Sequence, residues 1–164
     1  MTKTIKTIKT LAFARNGEAY PATVEVQVSS GLGIHITGLD DKDVKDVLLR
    51  TITAAQSMGI RLPGKKIVIK ITGNPLKWVK LLDYPILVAL TTAISQEAPG
   101  IIKDAYYLGS ALLDGRILPL TTEQYYKVLQ WKYQHDGKLY GDAELVCPNA
   151  FTRPLNPYEY RGKI

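Results

Sequence analysis

The chain has 164 residues, 46% of them hydrophobic, which is enough apolar material for one domain with a buried core. It has no run of about 18 apolar residues, and lysines interrupt its first residues, so we expect neither a membrane span nor a secretion signal and predict a soluble cytoplasmic protein. The formal net charge of +6 favours a polyanionic partner, although a basic excess often serves solubility alone.

The chain begins with a short repeat, TIKTIKT, of β-branched residues and lysine, which fits either an added edge strand or a frayed arm. We therefore treat residues 1–10 as an N-terminal extension and residues 11–150 as the domain. Residues 151–164 contain two prolines and little apolar spacing, and we expect an irregular tail there.

Strict alternation of apolar and polar residues follows, which is typical of strands with one solvated face. Val24, Val26 and Val28 share one face, and Ile34 and Ile36 follow a turn rich in serine and glycine. This pattern predicts a hairpin of two paired strands.

A helix is predicted over about residues 42–58, with Asp40 or Asp41 as its N-cap and Gly59 as the left-handed residue after its end. The next segment, KKIVIKI, alternates again and predicts a strand. Strand, helix and strand form a crossover unit, so part of the sheet should be parallel. The fold class is therefore α/β with a mixed sheet.

The stretch LLDYPILVAL opens the next helix. Pro85 suits a first helical turn because its missing N–H costs nothing there, and Asp83 is predicted to cap the helix. The residues behind it are apolar most of the way round the helix, which indicates burial between the sheet and another element.

A second hairpin is predicted in AYYLGSALLDGRILPL, with Asp114-Gly115 as a type I′ turn. A helix capped by Thr121 or Thr122 follows, and then a last strand, AELVC. The one cysteine, Cys147, excludes an internal disulfide, and we interpret it as a small buried hydrophobe because no histidine or basic cluster flanks it.

Most catalytic and metal-binding patterns are missing from the sequence. It contains no G-x-x-x-x-G-K-[ST] string, so we expect no ATPase activity from these residues alone. His35 and His135 lie far apart with no partner at metal-ligand or triad spacing, and we interpret both as surface residues. We therefore predict no metal site and no cofactor.

Basic residues concentrate around the first helix, the loop after it and the next strand, with one tryptophan among them. This pattern predicts a nucleic-acid surface that contacts phosphates and stacks a base, with a merely solvated positive face as the alternative. The candidate residues are Arg50, Arg61, Lys65, Lys66, Lys70, Lys77, Trp78 and Lys80.

Three strings, PATVEVQVSSGLGIHITGLDDKDVKD, LLDYPILVAL and YYLGSALLDGRILPL, stand in an order and spacing that resemble the amino-terminal domain of Mg-chelatase-like ATPases of the ComM type. The resemblance runs from about Leu11 to Asn149. It implies a Lon-protease-like fold, similar to a domain of ribosomal proteins, with an unusual left-handed βαβ crossover. Members of this family usually continue into a P-loop ATPase module, so the chain is expected to be a free-standing version or an excised domain.

The resemblance also implies where a Lon-type catalytic serine and lysine would stand. Those positions hold Ile86 and Gln124, which supply neither a nucleophile nor an amine. The chain is therefore expected to be no enzyme but a binding and assembly module that serves DNA processing, in recombination or DNA uptake, with DNA, an ATPase and further copies of itself as partners. The alternatives are a serine peptidase that uses an unaligned serine–lysine pair, and a docking partner with no nucleic-acid role.

Overall fold

Six strands form the main sheet of the protein, whose computed structural model describes residues 4–95, 105–134 and 145–147. The sheet order is β3-β4-β2-β1-β5-β8, and β6 and β7 form a separate small sheet. The elements are β1 (Thr4–Phe13), β2 (Ala19–Ser29), β3 (Ile34–Thr37), α1 (Asp41–Ser57), β4 (Lys66–Ile71), a 3₁₀ turn (Val79–Leu82), α2 (Asp83–Ser95), β5 (Tyr106–Tyr107), β6 (Ser110–Ala111), β7 (Ile117–Leu118), α3 (Thr122–Gln134) and β8 (Leu145–Val146).

Both strand directions occur in the main sheet. Strand β2 pairs antiparallel with β1 and with β4, whereas β3 is parallel to β4, β5 to β1, and β8 to β5. The predicted α/β class with a mixed sheet is thus confirmed. Within the described residues, no helix is both long enough and apolar enough to cross a membrane.

The first strand lies inside the sheet, between β2 and β5, and is neither an edge strand nor a frayed arm. It pairs with β2 from Thr4 opposite Val28 to Phe13 opposite Ala19, so it runs across the expected boundary between residues 10 and 11. A tight loop joins the two strands, in which the Gly17 N–H donates to the Ala14 carbonyl and Gly17 takes a φ of 85°. Glycine suits this left-handed position because it has no Cβ.

The predicted hairpin of β2 with β3 is wrong, because β4 lies between these two strands. Val24, Val26 and Val28 face the strand partners Ile71, Ile69 and Ile67 of β4. Alternation fixes which face of a strand is buried, but it does not identify the neighbouring strand. The predicted crossover is confirmed, since β3 and β4 are parallel neighbours joined through α1; its left-handed sense stays a prediction.

Two hydrophobic clusters hold the helices on the sheet. Helices α1 and α2 cover one face, where Ala54 and Leu90 pack among the valines of β2 and the isoleucines of β4. The predicted burial of α2 is confirmed, since its residues from Tyr84 to Leu90 are all buried. On the opposite face, α3 packs Val128 and Trp131 against Leu11 at one end of the sheet.

The ends of α1 follow the sequence closely. Asp40 stands at the N-cap, and Gly59 takes a φ of 83° just after the C-cap Met58. The Gly59 N–H donates to the Gln56 carbonyl and the Ile60 N–H donates to the Ala55 carbonyl, which are the two bonds of a Schellman motif. The predicted left-handed role of Gly59 is confirmed.

The second hairpin has shorter arms and a different turn from those predicted. Only β6 and β7 pair with each other, whereas Tyr106 and Tyr107 pair with β1 and β8. A type I′ turn needs positive φ at both central residues, but only Gly115 has it, with a φ of 93°. The Gly115 N–H donates to the Leu112 carbonyl, so the loop repeats the geometry of the β1–β2 loop.

Candidate functional site

Asp83 at the head of α2 connects three elements of the helical side. Its side chain is fully buried, and the Nε of Arg50 on α1 donates to Oδ2 at 2.9 Å. The Nη2 of Arg50 donates to Oδ1 at 3.3 Å, and the Ala111 N–H of β6 donates to Oδ2 at 3.0 Å. The predicted cap is therefore wrong: Asp83 has helical backbone angles, with φ −56° and ψ −46°, and its carboxylate joins α1, α2 and β6 instead of accepting an N–H of the first turn.

The surroundings of Asp83 act on its pKa in opposite directions. Burial raises the pKa to about 6, while the guanidinium of Arg50, the Ala111 N–H and the charge of Lys80 each lower it. Arg50 is itself largely buried, with 18% of its side chain exposed. Arg50 and Asp83 therefore form an ion pair, and the Arg50 guanidinium is not free to bind a phosphate.

The two positions at which the resemblance implies a Lon-type serine and lysine hold side chains that serve the structure. Ile86 is fully buried in the cluster under α1 and α2. Gln124 forms a capping box at the start of α3, where its Oε1 accepts the Thr121 N–H at 3.0 Å and its own N–H donates to Thr121 Oγ1 at 3.2 Å. Thr121 is therefore the N-cap of α3. The T-x-x-Q spacing is the sequence feature that could have predicted the capping role of Gln124.

A surface pocket of about 430 Å³ opens between α1 and the segment that leads into α2. One face of α1 forms the first wall, residues 76–80 form the second, and single residues of β6 and α3 complete the lining. The lining residues are Lys42, Asp43, Asp46, Val47, Arg50, Leu76, Trp78, Val79, Lys80, Ser110 and Gln124. Four of these eleven residues, Arg50, Trp78, Lys80 and Gln124, were singled out from sequence for other reasons, and the other seven were not, because the lining comes from four separate stretches of the chain.

Three of the nucleic-acid candidates, Arg50, Trp78 and Lys80, line this pocket. The ring of Trp78 is not open for base stacking on all sides, because Phe13 meets it edge-on at 5.2 Å and the ammonium of Lys77 lies 4.5 Å from its centre. Lys77 also pairs with Glu123 at 3.7 Å. Trp78 therefore lines the pocket with a ring that also contacts Phe13 and Lys77.

The remaining candidates lie elsewhere. Lys66 and Lys70 are exposed on β4 and point away from the isoleucines that pack under α1 and α2. Arg61 and Lys65 are exposed in the connection between α1 and β4. The structure therefore does not gather the eight candidate residues on one surface, since the sheet separates Lys66 and Lys70 from the pocket.

Other candidate chemistry is limited in the described part of the chain. His35 is exposed on β3, as predicted, while His135 and the tail at residues 151–164 lie outside the described residues. Cys147 is buried, as predicted, and burial raises the pKa of its thiol to about 12. No group of three or more histidine, cysteine or acidic side chains that could hold a metal ion occurs within residues 4–95, 105–134 and 145–147.

Comparison with known proteins gives a family and two relatives. The family described as subunit ChlI of Mg-chelatase matches residues 24–133, a range that includes Asp83, Ile86, Gln124 and the pocket. The protein YifB of Escherichia coli (strain K12) is 34% identical over 101 residues, as is YifB of Salmonella typhimurium (strain LT2). Each alignment covers 60% of this chain and 20% of the relative, so the chain spans only a small part of the length of the curated relatives it matches.

Proposed function

The chain belongs to the family of the ChlI subunit of Mg-chelatase, and on this premise we propose that it is a non-catalytic, Lon-like domain that binds and assembles with a Mg-chelatase-like ATPase in DNA processing. The observation that carries the proposal is the role of the side chains at the two positions where the resemblance implies a Lon-type serine and lysine. Ile86 fills the core and Gln124 caps α3, so each serves stability rather than bond cleavage.

Assembly with an ATPase is tested by purifying the protein from its native cell through a chromosomal affinity tag. We expect a P-loop protein to co-purify at a fixed ratio to the tagged chain. Alternatively, the tagged polypeptide itself should contain a P-loop ATPase module in addition to this domain. A strain with the untagged gene controls for non-specific retention. Recovery of the tagged chain without any P-loop partner would contradict the assembly role.

The DNA role is proposed for the exposed lysines of β4 and the loop before it, because these cations are solvent-accessible and not used in the pocket. Binding of labelled single- and double-stranded oligonucleotides is measured by fluorescence anisotropy over a range of salt concentrations. The double variant Lys66→Glu plus Lys70→Glu should weaken binding and reduce the salt slope by about two.

Lys42→Glu plus Lys45→Glu is the matched control, because it changes the net charge equally but lies on α1. Equal losses in both double variants would show a response to net charge only and would contradict a surface on β4. Absence of binding at low salt would remove the DNA role and leave the assembly role intact.

One observation favours a second candidate, a serine peptidase. Ser110 lines the same pocket as the ammonium groups of Lys42 and Lys80, and a serine–lysine pair can act as nucleophile and base. Both lysines are exposed, however, whereas such a base must be held neutral. The test compares casein hydrolysis by the wild type and by Ser110→Ala. Hydrolysis by the wild type alone would establish this candidate, and no hydrolysis by either protein would dismiss it.

A further inference from the structure

Several charged side chains that line the pocket between α1 and residues 76–80 form no ion pair with another described residue. Within the part of the chain that the structure describes, Lys42, Asp43, Asp46 and Lys80 line the pocket without forming an ion pair with one another or with other side chains. At about 430 Å³ the pocket falls within the size range of small-molecule sites. Two cations and two anions in one pocket therefore stay available to a ligand.

The part of the pocket beside Asp83 has an excess of positive charge. Arg50 donates to the Asp83 carboxylate and Lys80 acts on it electrostatically. Asp83 also accepts the N–H of Ala111, the residue that follows Ser110. The single carboxylate is already bonded by Arg50 and Ala111. The ammonium of Lys80 and the hydroxyl of Ser110 are left to receive an anionic group, and a carboxylate accepts such donors well.

The α1 wall of the pocket also carries two carboxylates, beside Lys42. Asp43 and Asp46 are three residues apart and so lie on one face of the helix, and Asp46 is one turn, about 6 Å, from Arg50. These carboxylates would repel a chain of phosphates, because like charges in a shared pocket cost energy. They would attract an ammonium or guanidinium group. The apolar surface between these carboxylates and Lys80 is formed by Val47, Leu76 and Val79.

The second wall is held in a strained backbone conformation. Among the described residues, Asn74 and Trp78 are the two that have positive φ without being glycine; Trp78 belongs to this wall, and Asn74 lies two residues before the wall begins. For a bulky residue such as Trp78, with φ at 52°, the left-handed conformation is unfavourable. Such strain clusters at binding sites and is maintained here by the packing of Trp78 against Phe13.

From these features we propose that the pocket binds a peptide that carries a carboxylate and a cationic side chain about one helical turn apart. The carboxylate lies against Lys80 and Ser110, the cation against Asp43 and Asp46, and the segment between them against the apolar wall. This inference does not depend on the assembly role, because it concerns only the pocket, and co-purification with an ATPase tests the assembly role separately.

The test uses the full chain labelled with ¹⁵N and the probe peptide acetyl-Lys-Ala-Ala with a free carboxyl end. We expect saturable shifts of the amide signals of Asp46, Lys80, Ser110 and Gln124. Replacing the carboxyl end by an amide should weaken binding about tenfold, the cost of one charged hydrogen-bond partner, and acetyl-Gln-Ala-Ala should also bind more weakly. The peptide acetyl-Lys-Ala-Glu-amide carries its carboxylate on a side chain instead of at the chain end. Comparison of its affinity with that of acetyl-Lys-Ala-Ala shows which of the two kinds of carboxylate the pocket binds more tightly.

Two exposed pocket residues provide variants that should fold. Lys80→Ala should weaken the free-carboxyl peptide at least fivefold, and Asp46→Asn should weaken acetyl-Lys-Ala-Ala but leave acetyl-Gln-Ala-Ala unchanged. Lys45→Ala, on α1 outside the pocket lining, should leave both affinities unchanged. The absence of saturable shifts at millimolar peptide would overturn the proposal, and so would binding that amidation and both pocket variants leave unaltered.

Discussion

Asp83 shows at the level of a single residue why a sequence motif can have the right place and the wrong role. Its position before Pro85 predicts a helix cap, but it is the first helical residue of α2 and makes no capping hydrogen bond to the first turn. Its hydrogen bonds, however, come from α1 and β6, which are 33 and 28 residues away in the chain. Partners at that separation are set by the tertiary fold, so no local pattern could have identified them.

The raised pKa of Asp83 makes a prediction about stability and pH. Burial moves the pKa from 3.8 to about 6, so between these values the folded state binds a proton that the unfolded state releases. The contribution of this carboxyl to the free energy of unfolding is therefore fully present below about pH 4 and is lost as the pH rises through about 6, by up to roughly 3 kcal/mol.

Urea unfolding of the wild type and of Asp83→Asn, at several pH values between 4 and 8, measures this effect. The difference between the two proteins isolates Asp83, because all other groups titrate in both. We expect the wild type to gain stability relative to the variant as the pH falls. A constant difference, or one of the opposite sign, would show that Arg50 holds the carboxylate ionised in the folded state.

Gln124 is predicted to stabilise the protein through its capping box. Gln124→Ala removes the acceptor of the Thr121 N–H and should lower the free energy of unfolding by about 1 kcal/mol. Gln124→Glu preserves a side-chain acceptor and should stay close to the wild type. Chemical denaturation gives both values. Equal stability of all three proteins would mean that the capping box contributes nothing.

At the level of elements, the sequence predicted helices better than strand neighbours. The start of α1 after Asp40 and its end at Gly59 follow from the sequence; the backbone bonds at Gly59 span only a few residues, whereas the Asp40 side chain makes no capping hydrogen bond. The partner of β2 did not follow, because β3 and β4 show the same alternation and only the global fold decides which of them lies beside β2. The turn at Asp114-Gly115 was misassigned because its loop has one residue more than a type I′ hairpin allows.

The first strand provides the clearest prediction at this scale. Because β1 lies between β2 and β5, deletion of residues 1–10 should remove most of an interior strand and abolish cooperative thermal unfolding. In the intact protein, the amides of Ile8 and Thr10 should exchange with solvent as slowly as those of the core of β2. Retention of a cooperative transition after the deletion would mean that residues 1–10 are a dispensable extension.

The sites show the same limit of sequence reasoning. Ile86 and Gln124 could be identified because a family resemblance fixes two positions along the chain. The pocket could not, since its lining combines α1, residues 76–80, β6 and α3 in three dimensions. The basic residues looked like one cluster in sequence, but strand alternation directs Lys66 and Lys70 to the face opposite the helices.

Considered as a whole, the described part of the molecule has two charged surfaces separated by the sheet. One is the mixed-charge pocket on the side of α1 and α2, and the other is formed by Lys66 and Lys70 of β4 on the opposite face. This separation supports a module that makes two kinds of contact at once, one with a peptide segment and one with a polyanion. The core between the surfaces contains Ile86, at the position where the family resemblance implies a Lon-type serine.

The central claim, that the domain binds and does not cleave, is tested most directly by exposing the intact protein to a serine-reactive fluorophosphonate and measuring its mass. We predict an unchanged mass, with a known serine protease in the same tube as the positive control for the reagent. A single stable adduct on Ser110 that disappears in Lys80→Ala or Lys42→Ala would contradict the account, because it would reveal an activated serine in the pocket.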